Sequence, residues 1–236
     1  NGSFDLTLVV SGTTRFVGPV GAVSALGDGT GAAITINSLG ATVFESTLRT
    51  GSRITQAENA GRVTLRGDVT LGDATNNGAL SFAGLIGLGT TTRTLTVASD
   101  LTFDGVVSGA AGLTKDGAGT LTFTAANTYA GATTVNGGTL VAAAGSLAAT
   151  TSIDIGVATL TAVDANAAAA LTVAAGGSAS FSGSTVAVAS LAGAGDVQLG
   201  ATTLKVGAGN FSGVISGAND SLVKDTAGTL TLSGAN

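Results

Sequence analysis

Leu113–Leu140 reads LTKDGAGTLTFTAANTYAGATTVNGGTL, and Leu222–Asn236 repeats its opening as LVKDTAGTLTLSGAN. The match runs upstream as well. Phe103–Asn127 aligns with Phe211–Asn236 with one inserted residue. A self-match at long range marks a repeat architecture. Within the repeat, Thr120-Leu121-Thr122-Phe123-Thr124 alternates polar and apolar residues. Period two places Leu and Phe on one face of a strand and Thr on the other. Thr94–Val97, Ile34–Ile36 and Asp196–Leu199 alternate in the same way.

Turn signals separate these runs: Asp116-Gly117, Asn136-Gly137-Gly138, Asn76-Asn77-Gly78 and Ala175-Gly176-Gly177. Most gaps are too short for a crossover helix. Parallel strands still form if each coil turns through two or three short strands and stacks on the next. The Thr-Leu dipeptides at Thr47, Thr70, Thr94, Thr120, Thr139, Thr159, Thr203 and Thr229 step by 23, 24, 26, 19, 20, 44 and 26 residues. Taking 44 as two rungs gives about 23 residues per rung, within the range of solenoid repeats. Only Asp164–Thr172 has helix-forming composition, through Ala167–Ala170. Its shortness and its VAAGGS flank favour a loop or strand.

The quoted stretch resembles the autotransporter-associated β-strand repeat of secreted passenger regions and large bacterial adhesins. Residues 103–144 form the first recognisable copy and residues 211–236 a truncated second. The resemblance implies a right-handed parallel β-helix, export across the outer membrane to the cell surface, and no cofactor. The fold class expected is therefore all-β: a β-solenoid of roughly ten rungs, each of about 20–26 residues. Residues 1–236 are read as one continuous solenoid segment. The chain has no initiator Met and stops at Asn236 partway through a repeat. It is read as a piece, or the mature part, of a longer protein. Neither end shows a capping helix or charged cap. More chain or another copy of the molecule is expected there, because bare terminal rungs expose strand edges.

Composition narrows the functions. Net charge is −5 and the pI about 4.4, which argues against nucleic acid. Arg15, Arg49, Arg53, Arg62, Arg66 and Arg93 cluster early, with no Arg later. They are read as a solvated face, the sharper alternative being a stripe for an acidic glycan or partner. There is no His, Cys or Trp and one Tyr, so His-dependent and Cys-dependent triads cannot be built. Zinc and haem lose their usual ligands. Gly117–Thr120 is glycine-rich but opens a strand, so it offers no helix N-terminus to a phosphate.

A β-helix can also be a polysaccharide lyase or hydrolase, which needs clustered carboxylates. Here Asp100 and Asp104 would share a face if their strand were regular, and Asp68 and Asp73 flank a turn. With Tyr129 alone, a sugar platform is poor. Asp28, Asp116 and Asp225 are read as Asx-turn residues, not calcium ligands. Lys115-Asp116 and Lys224-Asp225 are read as solvent-facing pairs beside a turn. Asn127-Thr128-Tyr129 and Asn136-Gly137-Gly138 are read as turns. Thr-x-Thr runs raise ice binding, but uneven rung steps argue against a regular array.

No catalytic, cofactor-binding or metal-ligating residue is therefore assigned, and no cofactor is expected. The leading expectation is a non-catalytic structural or adhesive segment of an exported surface protein. The alternative is a subunit of a self-assembling extracellular filament or sheath, stacked end to end through the solenoid termini. The partners expected are the molecule itself, and host or neighbouring-cell surface glycans or proteins.

Overall fold

The computed structural model describes residues 5–21, 32–37, 39–46, 48–50, 53–56, 62–65, 69–71, 80–82, 84–98 and 100–235. Among them there is no helix, and every strand pairing is parallel. Strands fall into two eleven-stranded sheets and one five-stranded sheet. One coil shows the logic. Leu101–Phe103 lies in the first sheet, Val107–Ser108 in the second, Leu113–Asp116 in the third, and Thr120–Phe123 is back in the first. Each strand then pairs with its counterpart one coil away. Parallel pairing thus arises without crossover helices, and the chain is a β-solenoid.

Alternation decides which side chains go in. Thr120–Phe123 and Leu113–Asp116 bury every second residue. The inward residues stack into rows: Leu101, Leu121, Leu140 and Leu160 are register partners in succession, all fully buried. Phe103 and Phe123 form a parallel row and their rings stack at 5.9 Å. Such a pair contributes roughly 0.5–1.5 kcal/mol beyond its buried area. No coil can cover its own apolar residues, so neighbours stabilise one another along the stack.

Rungs of the later coils are shorter than the Thr-Leu spacing implied, and those of the first coils are longer. Leu121 to Leu140 spans 19 residues and Ala179 to Val197 spans 18. Near the start, Leu6 pairs with Ile34, a step of 28. The dipeptide period mixed faces: Thr120, Thr139 and Thr159 share one row, whereas Thr70 and Thr94 belong to the third sheet. With eleven strands in each long sheet, the expected ten rungs is an approximation.

The second side of the coil changes character along the stack. After Val107–Ser108 it loses its strands and continues as irregular arcs over residues 124–132, 143–151 and 163–169. The arcs stay tied to their neighbours through Thr128 N to Val107 O, Ala130 N to Gly109 O and Asn127 N to Gly145 O. Asp164–Thr172 is accordingly loop up to Ala169, followed by a strand from Ala170. Strands then return on that side, in the first halves of the nine-residue strands Thr185–Gly193 and Thr203–Phe211 and in Ser221–Lys224.

The two sequence copies do not superpose as equivalent coils. Leu121 lies on the first-sheet row that ends at Ile215. Its counterpart Leu230 pairs with Gly209, on a row running back through Leu191, Leu171, Ile153 and Thr133 to Leu113. Both face the core, but the second copy is displaced by one face of the coil. Turn lengths between the copies, not their own sequences, set this displacement.

Candidate functional site

The residues singled out for chemistry have separate fates. Asp100 precedes the three-residue strand Leu101–Phe103 and Asp104 follows it, so the strand holds them at opposite ends. Asp104 accepts a hydrogen bond from the Thr124 hydroxyl at 3.0 Å. Asp28, Asp68, Asp73 and the Asn76-Asn77-Gly78 turn lie outside the described residues. Among the described residues, no three His, Cys, Asp or Glu side chains come together in a way that could hold a metal ion. Asn136-Gly137-Gly138 is a turn, with Gly138 at φ 63°.

The early arginines do not form one free face. Arg15 pairs with Glu45 at 2.7 Å. Arg93 is half-buried, and its Nε donates to the carbonyls of Leu65 and Leu88, both at 3.2 Å. Arg62 is exposed. The side chains of Arg49, Arg53 and Arg66 lie outside the described residues.

Lys115 corrects the expectation of a solvent-facing pair. It is 1% exposed, and its ammonium donates to three backbone carbonyls: Asp116 at 3.3 Å, Gly117 at 2.9 Å and Gly137 at 2.9 Å. The first two belong to its own turn and the third to the next coil. An ammonium has three donors and no acceptor, so this nest uses it fully. Burial lowers the Lys115 pKa from 10.5 to about 8, with the Asp116 charge opposing the shift. Lys224, its counterpart, is exposed.

Asn127 and Tyr129 are also more than a turn. Asn127 is buried, and its Oδ1 accepts from Val107 N at 2.9 Å, so a side chain continues the ladder where the strands of the second side stop. Tyr129 enters the interior there, 1% exposed, with its ring edge against Phe123 at 6.3 Å. Its hydroxyl is 2.7 Å from Thr133 Oγ1, which lies 3.0 Å from Thr150 Oγ1, and Thr150 donates to Gly131 O at 2.7 Å. This buried hydroxyl chain holds the arcs of two coils together. Burial pushes the Tyr129 phenol well above its ordinary 10.0, opposed by the Thr133 hydrogen bond.

The first sheet carries a long register row on the phase opposite to its buried residues. Register places Thr7, Thr35, Thr55, Ser81, Thr102, Thr122, Val141, Thr161, Ser180, Gln198 and Ser216 in one row across eleven strands. A second row runs beside it through Thr120, Thr139, Thr159 and Ser178. The eleven-residue row carries no charge. Among the described residues, no side-chain hydrogen bond within the protein uses the hydroxyls of Thr102, Thr120, Thr122, Thr139, Thr159, Thr161, Ser178 or Ser180. Uneven rung steps therefore do not break the array, because the turns absorb the difference. Sequence spacing hid this row, and strand parity within each Thr-x-Thr run was the signal for it. Val141 and Gln198 are its interruptions.

The fold and surface define a parallel β-solenoid with a hydroxyl-lined side and no assembled catalytic group among the described residues. The model of the passenger-associated-transport-repeat family matches residues 113–142 and 222–236. The chain is also similar to the adhesin BmaC autotransporter of Brucella suis biovar 1 (strain 1330), with 43% identity over 84 residues. That alignment covers 34% of this chain and 2% of the relative. No solved structure matches the chain. Two stretches of the chain thus match the passenger-associated-transport repeat.

Proposed function

We propose that this segment is a non-catalytic structural and adhesive stretch of a large exported bacterial surface protein, displayed outside the outer membrane. The observation that carries the reading is the stack of eleven parallel strands with an uncharged, mostly hydroxyl-bearing row along one side. The passenger repeat and the adhesin relative support export and surface display. In this role the core rows give stiffness, and the hydroxyl row is the contact surface for glycans or proteins of a host or neighbouring cell.

The test uses purified chain on glycan-coated and protein-coated surfaces and on whole cells. Retention that falls on combining Thr122→Lys with Thr161→Lys supports the reading. Glycan turnover that disappears with Asp100→Asn or Asp104→Asn refutes it. The alternative is a filament of chains stacked end to end. It is favoured by apolar side chains left open at the first described coils, where Val9 is 73% and Leu39 72% exposed. Solution scattering at rising concentration separates the two. Filaments lengthen in steps of roughly 50 Å, from about 4.8 Å per stacked strand, whereas a spacer stays at one length.

A further inference from the structure

We propose that the outward face of the first sheet, over the four coils from Thr120 to Ser180, binds ice. The inference goes beyond the adhesive reading, because the ligand is neither a glycan nor a protein. Each of these coils presents two outward residues, two positions apart: Thr120 and Thr122, Thr139 and Val141, Thr159 and Thr161, Ser178 and Ser180. Seven of these eight positions carry a hydroxyl and none carries a charge. Their register runs without a shift. The residues thus form two columns, spaced about 4.8 Å from coil to coil and about 6.6 Å from column to column. Leu121, Leu140, Leu160 and Ala179 alternate with them and are fully buried, which fixes the strands beneath the face. Exposed acids bound the Thr120 column at both ends: Asp196 is the register partner of Ser178, and Asp100 precedes Leu101, the partner of Leu121.

Periodicity selects the ligand. Each hydroxyl offers one donor and two acceptor lone pairs, so it can hold water in more than one orientation. Threonine is stiff at χ1, so hydroxyls and methyls are arranged before any ligand arrives. Water bonded to this array repeats at fixed spacings in two directions. A dissolved ligand gains nothing from that repeat, whereas a growing crystal of water can take the ordered layer as its own surface. Other solids fit the face less well. An ionic solid asks for fixed charges, which the eight positions lack. A sugar surface asks for aromatic rings to stack on, and the one Tyr, Tyr129, is buried in the interior. The third sheet supplies a contrast within the molecule. Its outward row runs through Thr94, Thr114, Thr134, Asp154, Thr172 and Ala192. A carboxylate interrupts that row, accepting from the Ser152 hydroxyl at 2.9 Å.

The experiment uses the purified full chain. Its retention in a slowly growing ball of ice is measured, together with the gap it opens between the melting and freezing points of a single ice crystal. The chain is expected to enter the ice and to open such a gap. Thr122→Tyr combined with Thr159→Tyr should close the gap at least ten-fold, with circular dichroism confirming the fold. Thr122→Ser combined with Thr161→Ser keeps the hydroxyls and removes only methyls. It should at least halve the gap, and it serves where the Tyr variant fails to fold. Thr114→Tyr combined with Thr134→Tyr, on the third sheet, should leave the gap unchanged. Three results overturn the proposal: exclusion of the unaltered chain from ice, a full gap in a folded first-sheet variant, or an equal loss in the third-sheet variant. Exclusion from ice with retention on glycan-coated or protein-coated surfaces sinks this inference alone. Entry into ice without that retention sinks the adhesive reading alone.

Discussion

Lys115 shows how one side chain couples neighbouring coils. Replacing it with Met leaves three turn carbonyls without their donor. This should cost about 1–3 kcal/mol in denaturant unfolding. Lys224→Met, at the exposed counterpart, should stay within about 0.5 kcal/mol. The pH dependence has a definite sign. Between about 8 and 10.5 the unfolded chain holds the Lys115 proton and the folded chain does not, so this lysine makes stability rise with pH across that window. Tyr129 acts oppositely. Above 10.0 the unfolded chain ionises a phenol that the fold keeps neutral, so stability falls as pH rises further. Denaturant melts across this range should lose the rise in Lys115→Met and the late fall in Tyr129→Phe. Tyr129→Phe should also cost about 1 kcal/mol for its hydrogen bond. Strand parity held the clue to Lys115: it shares the inward phase of Leu113 and Leu121. Lysine's usual preference for solvent masked it. Burial still alternates through the arc that holds Tyr129, from Asn127 inward to Ala130 outward, but a polar Asn at the inward position hid the pattern.

At the scale of the strand, the sequence was most readable. Period-two alternation in Thr120–Phe123 and Asp196–Leu199 gives inward and outward positions that agree with burial. The Asn136-Gly137-Gly138 turn was equally plain. Leu121→Asp would place a charge in the middle of the Leu101–Leu160 row, and a loss of several kcal/mol is expected from thermal unfolding. Thr122→Ser, on the outer row, should be nearly silent in the same assay. What alternation could not reveal was the side of the coil on which each strand falls. That depends on how many residues each corner consumes, and corners vary from one coil to the next. Gly209 illustrates such a local demand. It has φ 141°, and a Cβ there would lie 1.9 Å from Leu191 O, so the mid-strand bend of Thr203–Phe211 requires glycine.

For the whole molecule, stability should grade along the axis. Strands of the middle coils bury alternate residues fully, whereas Val214–Ala218, Ser221–Lys224 and Leu230–Leu232 contain no fully buried residue. Native-state hydrogen exchange should therefore find the slowest amides in Leu113–Ala162 and progressively faster ones toward Leu232, as expected when cooperative units open separately. Uniform protection along the chain would show that it unfolds as one block. The solenoid class was readable at this scale because a repeat of short strands leaves few other ways to bury its apolar residues.

The displacement between the two copies carries one more consequence. Thr122 points outward in the hydroxyl row of the first sheet, while its counterpart Thr231 pairs with Asn210 in the third. The same words of sequence are thus displayed at different azimuths around one axis. Inserting or deleting a corner need not disturb the buried rows, because each side of the coil accepts the same alternating pattern. It rotates everything downstream by one side. Small length changes in such a chain act as a dial, turning the same motif toward a different neighbour while the shaft beneath it stays intact.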